Sequence, residues 1–85
     1  MTNRYNISPN SLIARVNTLR RRHRDISRRI ESEEMRPLPD PTHIKQLKQE
    51  RLGLKDAIRM TKSMLMRAGV HPPYTTQPGR NEVSP

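Results

Sequence analysis

The chain has 85 residues, of which 31% are hydrophobic and 2% aromatic, and its 17 Lys and Arg against 8 Asp and Glu give a formal net charge of +9. A chain this short with so little apolar material cannot bury a large core around a deep small-molecule pocket. Because it contains no cysteine, a disulfide framework, a thiolate zinc site and a cysteine nucleophile are excluded. The composition predicts one small basic domain that binds another molecule.

The N-terminal part of the chain lacks the apolar stretch of a signal peptide. Apolar runs elsewhere are short: Met64-Leu65-Met66 falls far below the roughly 18 residues that a membrane span needs. We therefore expect a cytoplasmic protein, with residues 1–8 forming a flexible N-terminus.

The first predicted helix covers about residues 9–35. Ser8 followed by Pro9 is a typical helix start, since serine caps the first turn and proline at the first helical position loses no hydrogen bond. Beyond it, residues recur at the a and d spacing of a heptad, which places them on one helix face: Leu12, Val16, Leu19, His23, Ile26 and Ile30.

The second predicted helix covers about residues 41–68 and follows a stiff turn at 36–40, where three residues each precede a proline. Asp40-Pro41 supplies the start signal, and Gly69 can adopt the left-handed conformation that ends a helix. The same heptad spacing continues along it at Ile44, Leu47, Arg51, Leu54, Ile58, Thr61 and Leu65.

A short stiff turn between two helices of similar length favours an antiparallel arrangement. The predicted fold is therefore all-α: an antiparallel, coiled-coil-like two-helix hairpin over residues 9–68, with Ile30 facing Leu47 and Leu12 facing Leu65. We call its apolar contact face the seam, formed by Leu12, Val16, Leu19, Ile26, Ile30, Ile44, Leu47, Leu54, Ile58 and Leu65.

Two polar residues occupy seam positions. His23 is expected opposite Gly53, whose missing side chain would leave room for the imidazole. Arg51 is expected to reach a carboxylate such as Asp25 across the seam. Polar residues at such positions fix helix register or oligomeric state in coiled coils, and we interpret both in this way.

Further apolar residues lie outside the seam, at Ile13, Leu52, Met60 and Met66. Two helices alone bury little surface, so we expect these residues to form a second interface and two hairpins to associate as a homodimeric four-helix bundle. The alternative is that they are scattered surface residues without a role.

Residues 69–85 contain four prolines and no periodicity, which predicts a disordered tail.

The arginine-rich run at residues 20–24 resembles a nucleic-acid patch, but its side chains point all round the helix. Acids at helix-supporting spacing predict that this run is partly neutralised within its own helix, in the pairs Arg21–Asp25, Asp25–Arg29, Arg29–Glu33 and Arg28–Glu31. The acids at the end of this helix are expected to face Lys45 and Lys48.

The second helix carries more unbalanced charge, and four of its basic residues fall within a band about 60° wide beside the seam. We call this band the basic stripe: Lys48, Lys55, Arg59 and Lys62. It is the candidate site for an acidic protein partner or for nucleic acid; the alternative is a solvated face whose lysine stems cover the seam. Because aromatic residues are scarce, nucleic-acid binding would be non-specific. A membrane-surface role ranks lower still, because the hairpin uses the apolar face of both helices.

No residues are predicted to be catalytic, cofactor-binding or metal-binding. The three histidines are not at metal-ligand spacing, and the three glycines are isolated rather than gathered in a phosphate-binding loop. We therefore expect a protein that is not an enzyme and that has no cofactor and no small-molecule substrate.

Several segments of the centre resemble the YdcH-like family of small bacterial proteins, a domain of unknown function. They are Arg22-His23-Arg24-Asp25-Ile26, Ile30-Glu31, Arg36-Pro37-Leu38-Pro39-Asp40, Ile44-Lys45-Gln46-Leu47-Lys48 and Glu50-Arg51-Leu52-Gly53-Leu54-Lys55-Asp56-Ala57-Ile58. The resemblance covers roughly residues 12–60 and implies a self-associating α-hairpin in the bacterial cytoplasm, without implying any activity. Ala57 stands where the family often has an acid, and the proline-rich tail is an addition.

These observations together predict a non-enzymatic helical-hairpin module for protein interaction and self-association. The alternative function is non-specific nucleic-acid or ribosome-associated binding through the basic stripe.

Overall fold

Two helices begin where a capping residue precedes a proline. In the computed structural model, which describes residues 8–74, these are α1, Pro9–Glu34, and α2, Pro41–Arg67. Ser8 Oγ accepts a hydrogen bond from the Ser11 amide at 3.2 Å, and Asp40 Oδ1 accepts from the amides of Thr42 and His43 at 3.1 and 3.2 Å. Each cap satisfies amide groups that the first helical turn leaves without partners.

The two helices pack antiparallel along the predicted seam, and residues 8–74 contain no β-strand. The predicted all-α two-helix hairpin is confirmed. Its core consists of two clusters. Ile26, Ile30 and Leu47 are buried near the turn, with Leu54 packed against them. Leu12, Ile13, Val16, Leu65 and Tyr74 are buried at the open end, with Val70 packed against them.

The seam is more polar in its middle than at its ends. Thr61 is buried, and its Oγ1 donates to the Ala57 carbonyl at 2.8 Å. Leu19 is buried, whereas Ile44 and Ile58 are half-buried, as is His23. Arg51 Nη1 lies 3.4 Å from Ser27 Oγ. Arg51 lies between Leu47 and Leu54, so its contact crosses the seam within the cluster near the turn. The stretch between the two clusters holds His23, Ile58 and Thr61.

Two expected contacts of the polar seam residues are wrong. Arg51 contacts Ser27 rather than Asp25, because Asp25 lies on the outer side of α1, where it pairs with Arg28 at 3.4 Å. A Cβ atom added to Gly53 would meet nothing within 4 Å, so this glycine does not make room for His23.

The chain reverses direction after α2. Gly69 adopts a positive φ of 82°, its amide donates to the Met66 carbonyl, and the Val70 amide donates to the Leu65 carbonyl at 2.9 Å. This pair of bonds is the Schellman motif, in which the residue after the glycine commonly makes an apolar contact with the last turn. Val70 makes that contact here, since it packs on the cluster that contains Leu65.

The segment after Gly69 differs from the predicted disordered tail as far as the structure describes it. Tyr74 is 8% exposed and packs with Leu12, Ile13 and Val16 of α1. The Schellman turn directs the segment back over the helices, and the ring then covers their open end. Ile13, which we expected to be free for a dimer interface, is consequently buried. The predictions for residues 1–7 and 75–85 lie outside the described residues.

Candidate anion-binding groove

A groove runs between α1 and α2 on one side of the seam. Arg20 and Arg24 of α1 line one edge, and Lys55, Arg59 and Lys62 of α2 line the other. His23 and Ile58 lie between the two rows, and the volume is about 450 Å³. We call this feature the basic groove. Within the part of the chain that the structure describes, no carboxylate lines the basic groove. Its three arginine and two lysine side chains share one space.

The basic groove continues toward the turn. A neighbouring depression of about 410 Å³ is lined by Lys48, Arg51, Leu52, His23 and Lys55, and it shares the last two residues with the first. All four residues of the predicted basic stripe therefore border one continuous surface. From Lys48 to Lys62 this surface follows α2 for roughly 21 Å, at 1.5 Å per residue.

Some of this charge is already paired. Lys48 Nζ lies 3.5 Å from Glu34 Oε2, and Arg59 Nη2 lies 3.1 Å from Asp56 Oδ1. All four side chains are about half exposed or more, and ion pairs of this kind contribute only about 0–1 kcal/mol. Such weak pairs leave both cations available to a stronger anionic partner.

The other cations of the groove have no such partner. Within residues 8–74, no carboxylate lies within ion-pair distance of Lys55 or Lys62, or of Arg20 and Arg24 on the opposite edge. Within residues 8–74, the cations of the groove without an ion pair therefore include four that surround His23 and Ile58.

The arginine-rich run of α1 was expected to be partly neutralised within its own helix through four named ion pairs, and those pairings are wrong. None of the predicted pairs in α1 lies within ion-pair distance; Asp25 pairs with Arg28 instead. Glu33 is engaged at the turn, where its carboxylate lies 3.0 Å from Arg36 and 3.6 Å from His43. The expected contact between the acids of α1 and α2 is present as Glu34–Lys48.

The sequence places Arg20 and Arg24 beside the seam but does not identify them as groove residues. Arg20 lies three residues before the seam residue His23, and Arg24 lies one residue after it. Both are on the flank of α1 that faces the basic stripe when α2 packs antiparallel. Finding them requires the handedness of the hairpin, which heptad spacing alone does not give.

A defined contact lies at each end of the basic groove. At the open end of the hairpin, the Arg20 guanidinium carbon lies 6.0 Å from the centre of the Tyr74 ring. Toward the turn, the Lys48–Glu34 pair joins the two helices. The C-terminal segment and the end of α1 therefore frame a groove whose remaining length is open.

Several apolar side chains are exposed to solvent, and one of them, Leu52, lines the depression that continues the basic groove. Leu52, Met60 and Met66 are 59%, 67% and 59% exposed, and Met35 and Leu38 are exposed at the turn.

Among the described helices, none has the length and apolar character needed to cross a membrane. Residues 8–74 contain no group of three or more His, Asp or Glu side chains arranged to hold a metal ion.

Comparison with known proteins gives one match. Residues 17–61 match the model of a family described as a protein of unknown function, DUF465. No curated protein and no solved structure matches the chain. The matched residues include the turn and every residue that lines the basic groove except Lys62, whereas Tyr74 and the segment leading to it lie beyond them. Since the match covers just over half of the sequence, the chain belongs to the DUF465 family.

Proposed function

We propose that the protein is a non-enzymatic interaction module that binds an acidic partner in its basic groove. The observation that carries this proposal is the convergence of five cationic side chains from both helices on one groove, whose lining contains no carboxylate from residues 8–74. Like charges held close together repel one another, and an anionic partner would relieve that repulsion.

The chemistry of the lining supports binding rather than catalysis. Arginine remains protonated in proteins and cannot exchange a proton with a substrate. The groove is open and lined by side chains on two rigid helices, which suits recognition of an extended charged surface. Among the described residues, no carboxylate or hydroxyl lines the basic groove beside His23, so this histidine has no partner there for proton transfer.

The alternative function, non-specific nucleic-acid or ribosome-associated binding, uses the same cations. Single-stranded nucleic acids commonly stack their bases on aromatic side chains, and no aromatic residue lines either depression of the groove within the described chain. This observation argues against single-stranded nucleic acid as the partner, whereas the phosphates of a duplex would use the same cations without stacking.

Binding of the full chain to polyglutamate and to mixed-sequence DNA and RNA tests the proposal, at about 50 and 200 mM salt. The informative variant is the double charge reversal Lys55→Glu with Arg59→Glu. Its matched control is Arg21→Glu with Arg29→Glu, which changes the net charge equally at exposed positions of α1 that do not line the groove.

We expect polyglutamate to bind the parent chain and the control variant, and the groove variant to lose at least about tenfold in affinity. Equal losses in both double variants would show a response to net charge alone and contradict a role for the groove. Binding to nucleic acid without binding to polyglutamate would favour the alternative function.

We also propose self-association as a homodimer, on the basis of the exposed side chains of Leu52, Met60 and Met66. Leu52 borders the basic groove, where the like charges of two copies would repel, so Met60, which lines neither depression, marks the face on which the dimer would form. Sedimentation equilibrium tests the proposed dimer: a monomer at tens of micromolar with intact helicity contradicts it.

We propose further that the chain is a YdcH-like protein of the bacterial cytoplasm, and the DUF465 match supports the YdcH-like part of this proposal.

A further inference from the structure

We propose that the occupant of the basic groove is an acidic amphipathic helix of a protein partner, which packs against α1 and α2 as a third helix. This inference rests on the proposed function and names the structural class of the acidic partner. Its basis is the pattern of charge and apolar surface across the groove.

The two cationic rows have helical spacing. Arg20 and Arg24 are four residues apart on α1, which is about 6 Å along the axis, and Lys55, Arg59 and Lys62 on α2 are separated by about 6 and 4.5 Å. A docked helix with acids at i, i+3 and i+4 spacing repeats the same axial distances on each of its flanks. Its carboxylates could therefore meet both rows along the length of the groove.

The centre of the groove is apolar, whereas its two edges are charged. Ile58 is half-buried between the rows, and the aliphatic stems of the lysines and arginines extend the apolar surface around it. An amphipathic helix presents the complementary pattern, with an apolar stripe between two acidic flanks. Polyglutamate and a phosphate backbone supply charge, but neither places an aliphatic side chain on Ile58.

Two nearer candidates do not fit the groove. A second copy of the chain would bring a net charge of +9 and an identical cationic groove. The C-terminal segment that follows Tyr74 contains Glu82 as its one acidic side chain, together with Arg80, so it cannot balance five cations. Charge complementarity therefore points to a different protein.

The experiment compares two peptides of identical composition with the full chain. The patterned peptide has three heptads of Glu, Leu and Ala, about 30 Å long as a helix, with leucines at a and d and glutamates on both flanks. The scrambled peptide distributes the same leucines around the helix. Fluorescence anisotropy gives the affinities, and circular dichroism gives the helicity that each peptide gains on mixing.

We expect the patterned peptide to bind at least about tenfold more tightly than the scrambled one and to gain helicity. Lys55→Glu with Arg59→Glu should remove this binding, whereas Arg21→Glu with Arg29→Glu should change it by less than about threefold. Ile58→Ala, with its fold checked by circular dichroism, should weaken binding of the patterned peptide by a larger factor than binding of polyglutamate.

The remaining possible results show whether the inference alone fails or the proposed function fails with it. If both peptides bind equally and the groove variant binds neither, the groove recognises acidic polypeptides without selecting a helix, so this inference is wrong and the proposed function stands. Binding to DNA or RNA but to neither peptide overturns the inference in favour of the nucleic-acid alternative. If no peptide, polyglutamate or nucleic acid binds at about 50 mM salt, the proposed function and the inference both fail.

Discussion

The guanidinium carbon of Arg20 lies 6.0 Å from the centre of the Tyr74 ring, at the outer limit of a cation–π contact. The same ring is 8% exposed and belongs to the apolar cluster that closes the open end of the hairpin. Tyr74 thus contacts an edge residue of the basic groove and the core at the same time. The short segment after α2 therefore contributes to the stability of the hairpin and to the position of Arg20.

Replacing Tyr74 with alanine is expected to lower the free energy of unfolding by about 3 kcal/mol, because it removes a buried ring from the cluster. Tyr74→Phe keeps the ring and should lose less than about 1 kcal/mol. Urea unfolding followed by circular dichroism measures both values. A loss below about 0.5 kcal/mol for the alanine variant would mean that the ring is not part of the core in solution.

The two described glycines are expected to respond in opposite ways to alanine. A Cβ atom at either position meets nothing within 4 Å, so steric contact does not distinguish them. Gly53 lies inside α2 with a negative φ, and Gly53→Ala should stabilise the protein by about 1 kcal/mol through higher helix propensity. Gly69 has a φ of 82°, and Gly69→Ala should cost about 1–2 kcal/mol.

Thermal unfolding of the two glycine variants beside the parent chain is the measurement. Each variant is the control for the other, since the chemical change is the same. Stabilisation by Gly69→Ala would show that the left-handed turn after α2 is not maintained in solution.

Replacing Arg51 with leucine should raise the melting temperature. The Arg51–Ser27 hydrogen bond is long, at 3.4 Å, and Arg51 occupies a seam position between Leu47 and Leu54. A leucine there would extend the apolar seam, and replacing a part-buried charge with an apolar residue is often neutral or stabilising. Circular dichroism during heating measures the change, with Ser27→Ala as a control that removes the same hydrogen bond without adding apolar surface.

The same variant tests whether Arg51 sets oligomeric state. Sedimentation equilibrium of the parent chain and of Arg51→Leu gives the comparison. An oligomer of unchanged size would remove the role in specificity and leave Arg51 with an effect on stability alone.

The parts of this fold that depend on local signals could be predicted from the sequence. Ser8-Pro9 and Asp40-Pro41 each place a cap and a proline at a helix start, and both helices begin there. Heptad spacing with a short turn also fixes which residues face each other: Leu12 and Leu65 share one cluster, and Ile30 and Leu47 share the other.

The parts that were missed depend on contacts distant in the chain. Tyr74 is a single aromatic residue in a proline-rich segment, so no periodicity marks it as buried, and its position follows from the turn at Gly69. The basic stripe was found as one edge of a site, but Arg20 and Arg24 belong to it only because the hairpin brings that flank of α1 to α2. Pair spacing within α1 also gave the wrong partner for Asp25.

Two acids near the end of α1 are expected to respond differently to neutralisation. A carboxylate near a helix C-terminus is opposed by the helix dipole. Glu33 offsets this cost, since its side chain is 15% exposed and accepts hydrogen bonds from Arg36 at 3.0 and 3.3 Å, with His43 of α2 nearby at 3.6 Å. Glu31 is exposed and has no ion pair among the described residues.

Glu33→Gln should therefore lower the free energy of unfolding by about 0.5–1 kcal/mol, whereas Glu31→Gln should leave it unchanged or raise it by a few tenths of a kcal/mol. Urea unfolding of the two variants in the same low-salt buffer gives the comparison. Added salt should reduce the difference between them, because exposed charges are screened over about 10 Å at 0.1 M ionic strength. Equal losses in both variants would mean that Glu33 does not link the end of α1 to the start of α2.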